Sequence, residues 1–225
     1  MYRFILLAAL AALACAPVSR RVPPAAPVNT ADLPVASDAA ADSLLTDVRT
    51  LAPGIVVDLR YATSNNFTSA PIAGYEGNHA YLRAPAAAAL ARVERDLAAQ
   101  GLGLKIFDAY RPVRATEAMV EWTKRVNRED LLRDGYIASK SRHNLGVAVD
   151  LTLIHLRDSS ELEMGTPFDT FSAAAHTANA TGLAAQNRQL LKSAMEREGF
   201  TNYDQEWWHF IFSLPDQMRF DRVIR

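Results

Sequence analysis

At 225 residues, with 49% hydrophobic and 22% charged side chains, the chain has enough apolar content for one globular domain with a sizeable core. A formal net charge of −1 provides no basic footprint, so nucleic acid is not expected as a partner. One cysteine excludes an internal disulfide framework, and stability must come from the core.

The chain opens with Arg3 and an unbroken apolar run, Phe4 to Ala14. That run is too short to span a membrane and has the proportions of a secretory signal over residues 1–15. Leu13-Ala14-Cys15 resembles a bacterial lipobox, which predicts a lipidated Cys15 and possible membrane attachment. Ala14-Cys15-Ala16 also fits ordinary signal cleavage, and an uncleaved apolar helix is the third reading. Either form of export places the protein in the periplasm or cell envelope. Residues 16–41 are rich in Pro and Ala and read as an extended tether, leaving 42–225 as the domain.

Within the domain, Gly54 to Leu59 predicts a strand, and Arg60 with Asn65-Asn66 reads either as turn chemistry or as part of a site. Tyr75 to Arg83 carries no clear signal, and His79 there reads as a surface residue. Pro85 to Gln100 predicts a helix: Pro in its first turn, Leu90, Val93 and Leu97 on one face, Gly101 just past its end. Leu104 to Asp108 predicts a strand that delivers Arg111 at its end, where Pro112 fixes a turn. An arginine there offers a fork of donors to a carboxylate or a developing oxyanion, or else pairs with Asp108 or Glu117. Thr116 to Val126 predicts a second helix, with Trp122 in the core, and Gln186 to Glu198 a third, ended by Gly199.

The stretch Ser141-Arg-His-Asn-Leu-Gly-Val-Ala-Val-Asp150, with Glu206-Trp-Trp-His209, carries the parts of a catalytic zinc site. Such a site takes three ligands from His and Asp/Glu and keeps a fourth position for water. His143, Asp150 and His209 are the candidate ligands of one Zn²⁺ per chain, and Glu206 is the candidate base. Val147 to Leu153 reads as a strand, on which His143 and Asp150, seven residues apart, would face opposite sides. Gly146 is a natural bend or bulge to correct that parity. His155, an odd step beyond Asp150, falls outside the metal set. Glu206 and His209 are also an odd step apart in a β-prone segment, so spacing alone does not make them converge.

Ser-x-His-x-x-Gly-x-Ala-x-Asp followed by Glu-x-x-His resembles the zinc D,D-peptidases that share a fold with the Hedgehog signalling domain. Val57 to Thr63 with Asn65 to Phe67, Asp108 to Pro112, Met164 to Asp169 and Glu206 to Phe210 are similar, more narrowly, to the VanX-like D-alanyl-D-alanine dipeptidases. The likeness runs from about Gly54 to the end of the chain. It implies a single α+β domain whose mainly antiparallel sheet carries the zinc site, flanked by helices. It implies hydrolysis of D-Ala-D-Ala in peptidoglycan metabolism, with Arg111 stabilising the transition state and Ser141 beside the substrate. It also implies that Met164 to Asp169 helps close the pocket, where the residues alone equally suggest a loop packing Phe168 and Phe171. D,D-carboxypeptidases and peptidoglycan endopeptidases share the metal motifs, and a non-catalytic zinc-stabilised binding domain is the rival outside enzymes.

Overall fold

Ser37 opens the first helix: its hydroxyl accepts the Ala40 amide, and Asp38 places negative charge in the first turn of α1 (Asp38–Leu44). The computed structural model describes residues 33–225, so the expected signal segment, Cys15 and the tether as far as residue 32 lie outside the described residues. Residues 33–41, read above as the end of the tether, are bound to the domain. Val35 bridges Arg219, the Arg219 Nε donates to the Leu33 carbonyl, and Ala41 is buried. Alanine-rich composition suits a helix as well as a tether once a serine cap precedes it.

The remaining elements are β1 (Leu45–Asp47), β2 (Val56–Val57), β3 (Tyr81–Arg83), α2 (Ala84–Ala98), β4 (Leu102–Asp108), α3 (Val113–Arg125), α4 (Asp130–Arg133), β5 (Ala148–His155), α5 (Gly182–Arg197), β6 (Phe200–Asn202) and β7 (His209–Phe212). β1 and β3 form an antiparallel pair. The other five strands form one sheet in the order β2-β4-β5-β7-β6, in which only the β2–β4 pairing is parallel. This is the expected α+β domain with a mainly antiparallel sheet.

Several boundaries differ from the sequence reading for local reasons. The strand expected over Gly54 to Leu59 shrinks to β2 because the Asn78 side chain takes over its bonding, donating to the Val57 carbonyl and accepting the Leu59 amide. α3 starts before Thr116 because Pro112 already occupies the N-cap. Val126 lies past its end and is exposed. α5 starts before Gln186, and its first turn shows no apolar stripe because Leu183 faces solvent.

Leu104 and Ile106 of β4 pair with Leu153 and Leu151 of β5. These side chains join Val149, Leu90, Val93 and Leu97 of α2, and Leu191, Ala194 and Met195 of α5 in one core. Burying each of these side chains except Ala194 is worth about 1.5–3 kcal/mol, which fixes the helices against the strands.

One irregularity in this ladder builds the site. Ile106 pairs with Leu151, yet Asp108, two residues on, pairs with the next residue of β5, Asp150. The extra residue is a β-bulge at Phe107. It turns Asp108 from the side of Ile106 to the side of Asp150. Asp150 in turn pairs with His209 of β7. Asp108, Asp150 and His209 thus stand in one row across three adjacent strands.

The long connection from β5 to α5 is held from below by Arg188, which is 2% exposed. Its guanidinium donates to the carbonyls of Met164 (2.7 Å), His176 (2.7 Å) and Ala174 (3.1 Å). Burial lowers its pKa from the ordinary arginine value. Replacing it by methionine keeps the apolar stem and strips donors from three carbonyls. The His176 carbonyl keeps the Asn179 amide at 2.9 Å, so the carbonyls of Met164 and Ala174 are the two left without a partner. At about 1–3 kcal/mol for each, Arg188→Met is expected to destabilise the protein by at least about 2 kcal/mol. The urea-unfolding midpoint reads this directly, and an unchanged midpoint would show that water replaces the guanidinium at no cost.

Candidate active site

His143 does not lie on the strand. It sits in a single 3₁₀ turn, Arg142–Leu145, whose N-cap is Ser141: the serine Oγ accepts the His143 amide at 3.2 Å. The turn ends at Gly146, which adopts φ +65°, and a Cβ there would come 2.6 Å from Leu45 Cδ2. The positive φ favours glycine here, and any side chain would also have to displace the end of Leu45. Gly146 supplies the expected bend, while the bulge of this sheet lies on β4. Strand parity between His143 and Asp150 consequently never arises.

The turn is stitched to the Arg111 segment. Asn144 Nδ2 donates to the Arg111 carbonyl (2.8 Å) and to Thr116 Oγ1 (3.0 Å), and the Arg111 amide donates to the His143 carbonyl (3.2 Å). Glu206 is also off the strand. Its amide donates to the Tyr203 carbonyl, and its own carbonyl accepts the His209 amide. This turn brings Glu206 Oε2 to 3.8 Å from His209 Nδ1, which alternation along a strand would forbid.

His143 Nε2, His209 Nδ1 and Asp150 Oδ1 converge. Their separations are 3.2 Å between the two nitrogens, 3.4 Å from His143 to Asp150 and 2.8 Å from His209 to Asp150. Ligand atoms about 2.0–2.2 Å from one tetrahedral metal ion lie roughly 3.3 Å apart, so the triangle fits such an ion. Among the described residues, these three are the group that meets the requirements of a metal site. His143 Nδ1 lies 2.6 Å from the Ala109 carbonyl, and an N–H donated there leaves Nε2 as a free lone pair aimed at the other two ligands.

The surrounding charges are buried and opposed. Burial alone would raise Asp150, but the imidazoles of His143 and His209 outweigh it and hold the carboxyl well below the ordinary range. Burial pushes Glu206 well above its ordinary value, and Asp150 and Asp169 push it further against the partial offset of Arg111. Arg111 donates through Nε to Asp108 Oδ2 at 2.9 Å, with a second nitrogen 2.8 Å from the same oxygen and 3.9 Å from Asp150 Oδ2. The arginine therefore pairs with Asp108 and still lines the cavity. Asp108 Oδ1 accepts the Tyr75 hydroxyl at 2.6 Å, which completes its bonding.

The cavity over this cluster measures about 410 Å³ and includes Ser141, Asp169, Phe171 and Trp208 in its lining. That is at the small end of the roughly 300–1,000 Å³ usual for small-molecule sites. The Met164 to Asp169 loop combines the two readings, except that Phe171 lies against Phe67 and Tyr136 rather than on the sheet. Phe168 packs on Phe107 and Trp208, and Asp169 faces the cavity. Asp169 is half-buried: Tyr61 donates to its Oδ1 at 3.1 Å, while the Oδ2 atom is buried with no partner. Burial and the charge of Asp150 push its carboxyl well above the usual range.

Asp169 and Tyr61 carry no site role of their own in the motif reading, because they pair with each other across 108 residues of sequence. The pairing of Asp108 with Arg111 is one of the readings open there. Trp208 lines the cavity, and Trp207 lies buried beside Arg188. Asn65 and Asn66 resolve as turn chemistry, since the Asn66 amide donates to the carbonyls of Arg60, Thr63 and Ala70. Arg60 pairs with Asp58. His155 is exposed at the far end of β5, and His79 pairs with Asp47 at 2.7 Å, away from the metal residues.

Comparison with known proteins agrees with this geometry. The profile of the peptidase M15 family, described as D-Ala-D-Ala dipeptidase, matches residues 41–225. The chain is 37% identical over 174 residues to the D-alanyl-D-alanine dipeptidase of Enterococcus faecium, covering 70% of this chain and 86% of that one. It is 38% identical over 172 residues to that of Enterococcus faecalis (70% and 85% covered). The enzyme of the same name from Escherichia coli is 34% identical over 170 residues (74% and 83% covered). With the matched region spanning nearly all of the described residues, this chain belongs to the peptidase M15 family of D-Ala-D-Ala dipeptidases.

Proposed function

We infer that the protein is a zinc metallopeptidase that hydrolyses free D-alanyl-D-alanine to two D-alanines in bacterial cell-wall metabolism. The observation that carries this reading is the convergence of three ligand atoms beside a buried glutamate, in a small cavity with a second buried carboxyl, Asp169, on its wall. Zinc suits a set of two imidazole nitrogens and one carboxylate oxygen, and His143, Asp150 and His209 would hold it. When bound, the ion lowers the pKa of its water to about 7 and polarises the scissile carbonyl.

The chain's own groups supply the rest. Glu206 takes the proton of the attacking water and returns it to the leaving amine, for which a carboxyl of raised pKa is suited. Arg111 faces the developing oxyanion, and its pairing with Asp108 fixes its direction before substrate arrives. Asp169 Oδ2, buried and unpartnered, accepts the free ammonium of the dipeptide. Ser141 lines the cavity next to His143 and hydrogen-bonds the substrate.

The test is hydrolysis by the zinc-loaded protein of free D-Ala-D-Ala beside a peptidoglycan pentapeptide ending in D-Ala-D-Ala, with D-alanine release followed and a chelator control. Cleavage confined to the free dipeptide and stopped by chelation is expected. Preference for the pentapeptide would assign the protein to carboxypeptidase chemistry on the same metal site. Absence of both activities would favour a binding domain.

We propose in addition that the domain is exported to the cell envelope and anchored through lipidated Cys15, supported by the apolar run of residues 4–14 and the Leu13-Ala14-Cys15 sequence. Labelled palmitate is expected to enter the wild-type protein and not the Cys15→Ser variant. Equal labelling of the two would exclude this anchor.

A further inference from the structure

Away from the sheet, the cavity is walled by two loops that share no strand. One runs from Gly135 to Arg142, and the other contributes Asp169 and Phe171. They meet at Tyr136. Its hydroxyl is hydrogen-bonded to His176 Nε2 at 3.2 Å, and its ring lies against Phe171 and His176 with centroids 6.1 and 6.3 Å away.

Both sides of this contact are held from the body of the protein. The His176 carbonyl is bound by the buried Arg188. On the other side, the Gly135 carbonyl accepts the Tyr203 hydroxyl at 3.3 Å. Gly135 adopts φ +84°, and a Cβ there would come 2.9 Å from the Tyr203 oxygen, so the loop turns closely on that tyrosine. The Tyr203 ring lies edge-on to the ligand His209, with centroids 5.8 Å apart. The contact is therefore anchored at one end to α5 and at the other to the wall of the metal site.

We propose that the Tyr136–His176 bridge is the specificity element that closes the cavity into a chamber for a dipeptide and rejects substrates extended at the amine. The proposal rests on the dipeptidase reading above. Asp169, which takes the ammonium, and Phe171 stand two residues apart on one wall. Tyr136 and Phe171 line the same cavity as Asp169, and His176 backs them. On this proposal a residue added to that amine runs against the seam these side chains form. An open groove, as polymeric substrates require, would need these loops apart.

The experiment compares kcat/KM for free D-Ala-D-Ala and for L-Lys-D-Ala-D-Ala in the zinc-loaded wild type, Tyr136→Phe, His176→Ala, the double variant and His176→Gln. Tyr136→Phe removes one oxygen and keeps the ring packing, so it tests the bridge without disturbing the fold. The dipeptide-to-tripeptide selectivity is expected to fall about tenfold or more in each single variant. The double variant should fall no further, because the pair acts as one unit. His176→Gln, which keeps a side chain able to bond the hydroxyl, should retain the selectivity. An equal loss on both substrates, or a selectivity unchanged in both single variants, overturns the bridge as a specificity element. A wild type that does not prefer the dipeptide is a different failure, and it overturns the dipeptidase reading itself.

Discussion

Glu206→Ala is expected to keep its zinc and lose turnover by about 10³–10⁴-fold, near the top of what a positioned general base contributes. The reason lies in where the carboxylate stands. Its Oε2 is 3.8 Å from His209 Nδ1, beside the triangle of ligand atoms and outside it. Truncation therefore removes the proton carrier and leaves all three ligands in place. It also removes an acid whose burial, next to Asp150 and Asp169, disfavours its ionised form. Elemental analysis for zinc and single-turnover kinetics on the same preparation separate metal loss from loss of chemistry. A fully active Glu206→Ala protein would sink the proposed mechanism.

His143→Ala is expected to lose both metal and activity. Two ligands remain, Asp150 and His209, which is one fewer than a catalytic zinc site keeps. The damage reaches further, because the imidazole also fills a buried position, 2% exposed, and bonds the Ala109 carbonyl. Without it, that carbonyl has no donor from the ring. A companion variant, His155→Ala, changes a histidine of the same region that is exposed and outside the metal group. It should bind zinc as the wild type does. Stoichiometric zinc in His143→Ala would overturn the ligand assignment.

Much of this site was legible in the chain because its chemistry is concentrated in two short segments. Residue types taken as a set, together with the family resemblance, singled out His143, Asp150, His209 and Glu206, and the structure brings all four together. The backbone forms that bring them together were not legible. Alternation predicted opposite faces for His143 and Asp150 and for Glu206 and His209, since it assumes one continuous strand. A 3₁₀ turn and a tight turn before β7 remove that assumption at both places. The helix α2 was readable because Pro85 and Gly101 mark its ends through their own backbone restrictions. The bulge at Phe107 carries no comparable mark. It is fixed by pairing with β5, about 40 residues further along the chain.

Arg188 and Tyr136 show a second limit. Nothing in Gln186-Asn187-Arg188 distinguishes an exposed helical arginine from one whose partners are three carbonyls in the preceding loop. The partners are backbone atoms, and backbone atoms leave no residue type to read. Asp169 is hidden for the same kind of reason, because its significance is an oxygen left without a partner.

The row of Asp108, Asp150 and His209 across β4, β5 and β7 has a bearing on how the protein folds. A slip of β7 by one residue against β5 would carry His209 to the opposite side of the sheet, and a ladder without the Phe107 bulge would do the same to Asp108. A slipped β7 therefore presents an incomplete ligand set, and a ladder without the bulge takes Asp108 away from Arg111. Only the native alignment gains the free energy of metal binding, which is folding free energy for a chain that has no preformed site when unfolded. A bound ion would thus act as a gauge of strand alignment, rewarding one register among the several that hydrophobic pairing alone would tolerate.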